Sequence, residues 1–463
     1  MRHNGSICVF ILLALSVVGL SVLLLGSGVR ASAQQPPLGA LPQALFDVLK
    51  VIPEEAGGLL DTVDANWDPR IIPMILDTTY LSRSALVSLR MLRLLDKHTG
   101  QSIGVDLQQW YQWMWQQDIP MHPEYPAFKS RLYGLVDPKF KGYFSPERTM
   151  KVRLDEVVWG GVRQDGIPPL RNPDMIPAEE ATYLADDNVI FGLAVNGDAR
   201  AYPKRILAWH EMFTDTIGGM RVAGVYCTLC GAMIVYESTL DGVKHELGTS
   251  GFLYRSNKLM YDKGTQSLWS TLGGEPVIGP LAGKGIRLKR GSVVTTTWGE
   301  WRKRHPQTQV LSLNTGHQRD YSEGKAYQDY FATDELMFQV PQRDGRLANK
   351  AEIVGLVFAQ AADKPLAIAA DYLKSRPVHH NSVNDLKFVV LTDPSGANRV
   401  YQSDAVTFTA FDGQHIATDS EGNQWTLTED MLAGDGKQLA RLPAHRAFWF
   451  GWYAAYPHTR LVN

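Results

Sequence analysis

The residues most able to do chemistry in this 463-residue chain are two cysteines, in the stretch Tyr226-Cys227-Thr228-Leu229-Cys230-Gly231. The chain has three cysteines in all, and the third, Cys8, belongs to an N-terminal leader. An isolated C-x-x-C pair is typical of a metal site or of a dithiol/disulfide couple. We therefore predict that Cys227 and Cys230 form the catalytic centre.

The residues after the pair distinguish two kinds of C-x-x-C site. In thioredoxin-like proteins the motif ends a strand and opens a helix, whose N-terminus lowers the pKa of the first thiol. Here the stretch Gly231-Ala232-Met233-Ile234-Val235-Tyr236 is β-prone, which predicts a second strand instead. A C-x-x-C-G turn between strands resembles the metal knuckle of a zinc ribbon.

Two sulfur atoms do not complete a tetrahedral metal site, so further ligands must come from elsewhere in the chain. The first candidate is His210 and the second is Met260, with His245 and His317 as further options. Two thiolates, an imidazole and a thioether form a soft set that favours copper, especially Cu(I), with zinc as the other option. The alternatives are that His210 is a structural histidine at an interface, with its ring nitrogens hydrogen-bonded, and that Met260 is a core residue.

A second group of polar residues lies in two short stretches rich in glycine and turn residues. We predict that this group binds substrate, and its members are Ser250, Arg255, Asn257, Tyr261, Asp262, Arg319 and Asp320. Arg255 and Arg319 suit an anionic group, because a guanidinium can donate two parallel hydrogen bonds to it. The alternative is an internal Arg–Asp network that orders the loops, for instance between Arg319 and Asp262 or Asp320.

The leader indicates export. Met1-Arg2-His3 is basic, an uncharged apolar run from Cys8 to Leu25 follows, and Ala31-Ser32-Ala33 is a small-x-small cleavage pattern. We predict a signal peptide over residues 1–33. An uncleaved membrane anchor is the alternative, since the run is about long enough to span a bilayer. In the periplasm or the extracellular space thiols tend to oxidise. The cysteine pair is therefore expected to form a disulfide, to bind a metal ion, or to alternate between these two states.

The overall charge restricts the partners. Lysine plus arginine number 46 against 48 aspartate plus glutamate, which gives a formal net charge of -2 with interspersed signs. This balance argues against nucleic acid as a partner, because nucleic-acid binding needs a basic surface. We predict an unidentified small molecule or a metal donor as the partner, and membrane contact only through an uncleaved N-terminal segment.

The sequence pattern changes along the chain. Residues 34–150 are predicted to form a mostly helical N-terminal domain, with leucines at helical spacing between Ser84 and Lys97. From about Val152 short β-like runs alternate with glycine and proline, and Asn196-Gly197 predicts a hairpin turn. The predicted fold class is therefore α+β, a helical domain followed by a β-rich core.

The β-rich core contains an internal repeat. The pair Trp298 and Trp301 recurs 151 positions later in the chain, together with nearby proline and threonine residues. We predict two core repeats, 151–330 and 331–463. Each repeat is predicted to be closed by a tryptophan-rich helix whose two tryptophans share one face.

Only the first predicted repeat carries sulfur. Aligning the two copies on a glycine and a tyrosine after the turn places Thr392 and Ser395 at the positions of Cys227 and Cys230. If the cysteines only stabilised the turn, we would expect them in both copies. Their presence in one copy suggests chemistry added to a shared scaffold, and the alternative is that one copy drifted.

Several motifs of the core are long enough to indicate a family. They are Val157-Val158-Trp159-Gly160-Gly161, Arg200-Ala201-Tyr202-Pro203, Trp209-His210-Glu211, the C-x-x-C stretch, Ser250 through Asn257, Met260-Tyr261-Asp262, Ser267-Leu268-Trp269-Ser270 and Arg319-Asp320-Tyr321. Together they resemble the bacterial and archaeal domain-of-unknown-function (DUF) family 3179, from about Asp155 to the C-terminus. The resemblance implies an exported protein without an assigned activity. The turn in that family often reads C-P-x-C, and here Thr228 replaces the proline.

Three functions fit these residues. The first is a redox-active metal-binding protein or metal-dependent oxidoreductase, with Cys227 and Cys230 as thiolate ligands and His210 as the third ligand. The second is a thiol–disulfide oxidoreductase in which the same pair cycles by exchange. The third is a non-enzymatic binding protein with a structural cysteine pair. We rank them in this order and expect the site near the C-x-x-C loop, at the junction of the two repeats.

Overall fold

Six α-helices build the first part of the chain. The computed structural model describes residues 37–434 and 436–463, so the predicted signal peptide over residues 1–33 lies outside the described residues. The helices are α1 Ala40–Asp47, α2 Ala56–Ala65, α3 Ile72–Leu81, α4 Ala85–Thr99, α5 Leu107–Trp115 and α6 Tyr125–Tyr133. Within the described residues we find no helix with the length and apolar character that a membrane crossing needs.

The α4 helix shows how local sequence sets these elements. Ser84 Oγ accepts a hydrogen bond from the backbone N–H of Val87 at 3.3 Å and so caps the first turn. Gly100 ends the helix in the left-handed conformation at φ 70°. Val87, Met91 and Leu95 are buried at a spacing of four residues, so they share one apolar face of the helix, and this face packs against the core.

The remainder of the chain is rich in β-strands. The strands are β1 Val157–Trp159, β2 Leu170–Arg171, β3 Met175–Pro177, β4 Val189–Val195, β5 Asp198–Pro203, β6 Met212–Ile217, β7 Met220–Cys227, β8 Ala232–Glu237, β9 Thr239–Leu240, β10 Val243–Lys244, β11 Leu247–Tyr254, β12 Asn257–Asp262, β13 Leu268–Ser270, β14 Pro276–Ile278, β15 Arg290–Gly291, β16 Val294–Thr297, β17 Gln309–Leu311, β18 Glu352–Leu356, β19 Leu366–Ala369, β20 Val378–Val383, β21 Leu386–Thr392, β22 Asn398–Gln402, β23 Phe408–Phe411, β24 Ile416–Asp419, β25 Gln424–Leu427, β26 Met431–Gly434, β27 Lys437–Leu442, β28 His445–Phe448 and β29 Arg460–Val462.

Short helices connect some of these strands. They are α7 Lys204–His210, α8 Trp298–Arg304, α9 Gln328–Phe331, α10 Ala370–Lys374 and α11 Trp449–Ala455. The prediction of a helical N-terminal part followed by a β-rich part is confirmed. The Asn196-Gly197 hairpin is confirmed as well, since Val195 pairs with Asp198 and the two turn residues have φ 49° and 85°.

The strands of the described residues form several sheets. The orders are β1-β11-β12-β13-β14, β15-β8-β7-β6-β2, β16-β4-β5-β17-β3, β28-β18-β19-β29 and β20-β21-β22-β27-β26-β25-β24-β23, with β9 and β10 as a separate hairpin. The segments β16-β4-β5-β17 and β28-β18-β19-β29 have the same directions, antiparallel at the first two pairings and parallel at the third. A helix joins the outer strands in both cases, α8 between β16 and β17 and α11 between β28 and β29.

A tryptophan packs on a glycine in each of these two sheets. A Cβ built on Gly192 would collide with the ring of Trp301, so only glycine fits beneath that ring. Trp301 Nε1 donates to Thr308 Oγ1 at 2.9 Å. In the other sheet Trp452 covers Gly355, and Trp452 Nε1 donates to a threonine hydroxyl at 3.0 Å. The two helices therefore dock on their sheets through matching contacts.

The core around the cysteines contains residues that are far apart in the sequence. Leu38–Asn463 is one compact unit. The apolar cluster that contains Cys227 and Cys230 also contains Ile353, Trp449 and Trp452 from the C-terminal part. The C-x-x-C turn is therefore buried between strands that are more than a hundred residues apart in sequence.

Candidate functional site

Cys227 and Cys230 lie in the turn that joins β7 to β8. Cys227 is the last residue of β7 and pairs with Ala232, the first residue of β8. Gly231 closes the turn at φ 58°, a left-handed conformation that glycine adopts without steric cost. A strand follows the turn, as the β-prone residues predicted, and not a helix.

The two cysteines form a disulfide. Their Cα atoms are 5.5 Å apart, and the residues are 1% and 0% exposed. The prediction of two thiolate metal ligands is therefore not met in this structure, because each sulfur is bonded to the other and carries no charge. Among the residues that the structure describes, no three histidine, cysteine, aspartate or glutamate side chains are grouped to hold a metal ion.

Glu211 is the polar centre beside the disulfide turn. It follows α7 directly at φ 55°, a conformation that costs a residue with a Cβ on the order of 1 kcal/mol or more. Its Oε1 accepts hydrogen bonds from Thr228 Oγ1 at 2.8 Å and from Tyr327 OH at 3.0 Å. The ammonium of Lys258 contacts its other oxygen, and both charged side chains are more than nine-tenths buried. A buried ion pair is thus bonded to a residue of the disulfide turn.

Burial shifts the titration of the groups around Glu211. Burial lowers the pKa of Lys258, and the nearby carboxylate opposes this shift. Burial also raises the pKa of Tyr327 above its usual range, and the charge of Glu211 adds to the shift. Tyr327 therefore stays a hydrogen-bond donor at neutral pH. Sequence reasoning missed these partners, since Glu211 and Tyr327 are 116 residues apart and no periodic pattern links them.

His210 is buried and both of its ring nitrogens are engaged. Nδ1 lies 2.8 Å from the carbonyl oxygen of Pro168, and Nε2 lies 2.5 Å from the hydroxyl of Tyr321. That hydroxyl is also 2.6 Å from Thr315 Oγ1. One proton arrangement satisfies every atom: Thr315 donates to Tyr321, Tyr321 donates to Nε2, and Nδ1–H donates to Pro168.

The hydrogen bonds of His210 bear on its predicted role as a metal ligand. Burial lowers its pKa to about 4, so the ring is neutral at physiological pH. A neutral imidazole can bind a metal, but here no lone pair remains for one because Nε2 accepts from Tyr321. The satisfied histidine, the alternative reading of this residue, describes the structure.

Met260 lies at the centre of β12 and is fully buried. It belongs to the same apolar cluster as Cys227 and Cys230 and pairs across the sheet with Trp269. The thioether is therefore part of the core that surrounds the disulfide. Its burial in this cluster fits the core role, the alternative to a soft sulfur ligand.

A long segment covers the disulfide turn. We call residues 312–351, between β17 and β18, the connector; within it only α9 is helical. Three of its tyrosine hydroxyls reach the site: those of Tyr321 and Tyr327, described above, and that of Tyr330, which donates to the carbonyl of Leu229 at 2.6 Å. Tyrosine hydroxyls thus bind the connector to the turn, and its buried residues Leu336 and Val340 pack in the apolar cluster that contains the cysteines.

The C-terminal part packs on the other side of the turn. The backbone N–H of Phe448 donates to the carbonyl of Cys230 at 2.7 Å, and the Phe448 ring covers Gly231. A Cβ on Gly451, in α11, would fall 2.5 Å from the Cβ of Cys230. The approach of α11 to the disulfide is therefore so close that only glycine fits.

The turn that joins β21 to β22 contains Thr392 and Ser395, the residues that the sequence alignment set against the cysteines. Asp393 Oδ1 accepts hydrogen bonds from the N–H and the hydroxyl of Ser395 at 2.9 Å and 2.6 Å, and Gly396 has φ 83°. Asp393 Oδ2 pairs with Arg399 at 2.8 Å. Thr296, from β16, reaches Ser395 at 3.0 Å. An aspartate-centred polar network therefore holds this turn without sulfur.

Two of the predicted substrate-binding residues lie at the β11–β12 hairpin. Arg255 is paired with Glu156 at 2.5 Å and donates to the carbonyl of Ala454 at 3.1 Å. Asn257 Nδ2 donates to the carbonyl of Gly451 at 3.1 Å, while its Oδ1 is buried without a hydrogen-bond partner. Both side chains therefore tie the hairpin to α11.

Three further predicted residues are held by their own neighbours. Ser250 lies at the irregular part of the β11–β12 pairing, and its Oγ donates to a backbone carbonyl at 2.6 Å. Tyr261 OH donates to Asp165 at 2.5 Å. Asp262 accepts from the backbone N–H of Thr265 at 2.8 Å. These contacts order strands and turns.

Arg319 and Asp320 lie on the connector. The guanidinium of Arg319 donates to the carbonyl of Gln318 at 2.9 Å, and the described residues give it no ion pair with Asp262 or Asp320. The backbone carbonyl of Asp320 accepts from Trp209 Nε1 at 2.8 Å. Asp320 thus helps to hold the connector beside α7. The predicted substrate-binding set is therefore spread over at least two places, the hairpin and the connector.

Comparisons with known proteins place the chain in a family. No curated protein and no solved structure matches it. The family described as "Protein of unknown function (DUF3179)" matches residues 164–459, which is 296 of the 463 residues and includes the disulfide turn, Glu211 and the connector. The match agrees with the motifs read from the sequence. The chain therefore belongs to the DUF3179 family of proteins of unknown function.

Proposed function

We propose that this chain is an exported redox protein in which Cys227 and Cys230 cycle between a disulfide and a dithiol. The observation that supports this most is that the disulfide joins residues three positions apart, in a turn already held by hairpin pairing. In the chain-entropy account a four-residue loop contributes about 2 kcal/mol, against roughly 3 kcal/mol for a 15-residue loop. The pair therefore stabilises the fold less than a cross-link between distant residues would, and close spacing of this kind is typical of exchanging pairs.

The proposed reaction is thiol–disulfide exchange with a dithiol as co-reactant. A thiolate of that dithiol attacks one sulfur of the pair, the Cys227–Cys230 bond breaks, and the other cysteine leaves as a thiolate. The second thiol of the co-reactant then attacks the mixed disulfide. The co-reactant leaves oxidised, and the protein keeps both electrons as two thiols after protonation. The reverse sequence oxidises a substrate dithiol.

Access to the sulfurs requires the connector to open. Both cysteines are buried, and the hydroxyls of Tyr327 and Tyr330 hold the connector against Glu211 and the turn. These hydrogen bonds are worth about 1 kcal/mol each. Leu336 and Val340 of the connector also pack into the apolar cluster around the cysteines, so a partner must replace both kinds of contact to displace the connector. The buried state protects the disulfide from unspecific exchange.

The proposal includes a duplicated core with one active copy. The repeats span 151–330 and 331–463, after a helical domain over 34–150. Matching strand directions and matching tryptophan–glycine contacts support the duplication. In the second copy Asp393 and its hydrogen bonds take the place of the disulfide, which restricts the redox chemistry to the first copy.

Export completes the proposal. Residues 1–33 direct the chain to the periplasm or the extracellular space, where an oxidising environment maintains a disulfide. The partner is a dithiol, either a small molecule or a protein. The net charge of -2 supports a partner other than nucleic acid.

Single-cysteine variants test the exchange reaction. Native Cys227→Ser and Cys230→Ser proteins are incubated with oxidised glutathione, and adducts are measured by intact mass. At least one variant should form a mixed disulfide without denaturant, while the double variant forms none. If both single variants react only after unfolding, the disulfide is structural and the proposal fails.

Copper or zinc binding by the reduced pair is the second candidate function. It is supported by Met260, which lies in the same apolar cluster as the cysteines, because two thiolates and a thioether suit a soft ion. His210 does not fit as the third ligand while it accepts from Tyr321. The test is metal content by mass spectrometry after reduction and purification without chelator. One copper or zinc ion per chain, absent from Cys227→Ser, supports this candidate; a metal-free reduced protein that still exchanges disulfides excludes it.

A further inference from the structure

A small cavity lies behind the β11–β12 hairpin, between this hairpin and the end of α11. Its volume is about 180 Å³, and apolar side chains including Leu259, Leu272 and Val277 form part of its wall. A water molecule occupies roughly 30 Å³ of liquid, so the cavity has space for about six heavy atoms. Its size therefore suits a small molecule of low mass.

The cavity wall carries more positive than negative charge. It contains Arg255, Lys258, Arg287 and Arg290, and its acidic residue is Glu275. Arg287 pairs with Glu275 at 2.8 Å. Arg255 and Lys258 pair with carboxylates outside the wall, as described above. Among the described residues, Arg290 is the cation of this wall that has no ion pair with a carboxylate.

Arg290 is half-buried, and its hydrogen-bond partners are neutral. Its Nη2 donates to the carbonyl of Leu272 and lies 3.3 Å from the hydroxyl of Tyr456, and both of these residues line the cavity. The described residues give it no ion pair. A guanidinium held in place, next to apolar walls and without a counter-charge, is a receptor for an anion with planar, bidentate geometry.

The hairpin at the cavity mouth has an unusual backbone. Tyr254 pairs with Asn257, so Arg255 and Ser256 form a two-residue turn, and their φ values are 50° and 61°. Such turns favour Asn-Gly, because each left-handed residue with a Cβ costs roughly 1 kcal/mol or more. Strain of this kind clusters at ligand sites, and the strained residue Arg255 lines the cavity.

We propose that this cavity binds a small organic carboxylate, with the carboxylate on Arg290 and a short apolar body against Leu259, Leu272 and Val277. The planar guanidinium matches the two carboxylate oxygens, and the apolar wall favours a hydrocarbon body over a fully hydrated inorganic anion. The proposal does not depend on the redox chemistry of the cysteines, which lie outside the cavity wall.

Calorimetric titration of the full-length protein with butyrate, butyramide and inorganic phosphate tests the proposal. Butyrate should bind, and neutral butyramide and phosphate should bind at least tenfold more weakly. Equal binding of butyrate and butyramide overturns the proposal, as does the absence of butyrate binding. Tighter binding of phosphate shows an inorganic-anion site and overturns the carboxylate assignment.

Variants locate the binding site. Arg290→Gln should weaken butyrate binding at least tenfold, while Arg302→Gln, at an exposed guanidinium elsewhere, should bind as the parent does. Ala362→Phe fills the cavity from its wall and keeps Arg290, so it must also weaken binding if Arg290→Gln does not fold. Unchanged affinity in a folded Arg290→Gln or in Ala362→Phe contradicts the proposal.

Discussion

The carboxylate of Glu211 holds together the polar groups around the disulfide turn. It accepts hydrogen bonds from the hydroxyls of Thr228 and Tyr327 and forms an ion pair with Lys258. The site is buried, where a charge without a partner is costly. His210, the residue before it, is equally buried, but its ring is neutral and fully hydrogen-bonded. At the scale of single residues, the site combines one buried ion pair with one neutral histidine.

Removing the charge of Glu211 should destabilise the protein more than removing a surface charge. Glu211→Gln leaves the ammonium of Lys258 buried without a counter-charge, which costs about 3 kcal/mol or more in the free energy of unfolding. Denaturant unfolding measures this. The double variant Glu211→Gln/Lys258→Met should recover part of the loss. Asp186→Asn, which breaks an exposed pair, should cost less than about 1 kcal/mol; an equal effect at both sites contradicts the account.

His210 should make stability depend on pH in the acid range. Its pKa is about 4 in the folded protein and near 6.5 in an unfolded chain. Between these two pH values the unfolded state binds more protons than the folded state. The contribution of His210 to the free energy of unfolding is therefore fully present above pH 6.5 and decreases as the pH falls towards 4. His210→Asn should flatten this slope by up to about 1.4 kcal/mol per pH unit, as measured by urea unfolding across the range. A slope equal to that of the parent contradicts the assignment.

At the scale of elements, the tryptophan helix α11 and the irregular connector contribute the surroundings of the disulfide. The α8 and α11 helices dock through Trp301 and Trp452 on glycines of the central strands. The connector packs Leu336 and Val340 into the apolar cluster around the cysteines and adds tyrosine hydroxyl contacts to the turn. Because the connector is irregular except for α9, the proposed redox function assigns the opening that exposes the disulfide to the connector.

Because the tryptophan rings pack directly on glycines, a methyl group added at either glycine should lower the free energy of unfolding. Gly192→Ala and Gly355→Ala should each lower the free energy of unfolding by about 1–3 kcal/mol, because the new Cβ collides with an immobile buried ring. Gly58→Ala is the matched control, since nothing lies within 4 Å of its Cβ position inside α2. It should stabilise by about 0.5–1 kcal/mol. Thermal unfolding of the three variants separates these outcomes.

Loosening the connector should speed up reduction of the disulfide. Tyr330→Phe removes a hydrogen bond worth about 1 kcal/mol, which raises the open population about fivefold. The rate of reduction by dithiothreitol, followed by thiol labelling, should rise by that factor, and Tyr327→Phe should act in the same direction. Tyr372→Phe, in α10, is the control. Unchanged rates in both connector variants would show that the connector does not limit access.

At the scale of the whole molecule, local structure was predictable from the sequence and long-range contacts were not. The strand after Cys230 and the Asn196-Gly197 hairpin follow from residue types at neighbouring positions, and both are confirmed. Spacing alone does not decide whether C-x-x-C sulfurs bind a metal or each other. The tether from Tyr330 to Leu229 joins residues 101 positions apart, which no periodicity reveals.

The most direct test of the account is the reduction potential of the Cys227–Cys230 pair in the native protein. The protein is equilibrated from both the oxidised and the reduced side in buffers of defined thiol–disulfide potential, and the free thiols are counted. The account predicts one reversible two-electron transition between roughly -120 and -300 mV, the range of exchanging pairs. A pair that stays oxidised below about -300 mV, or that is reduced only when the fold is lost, would contradict it.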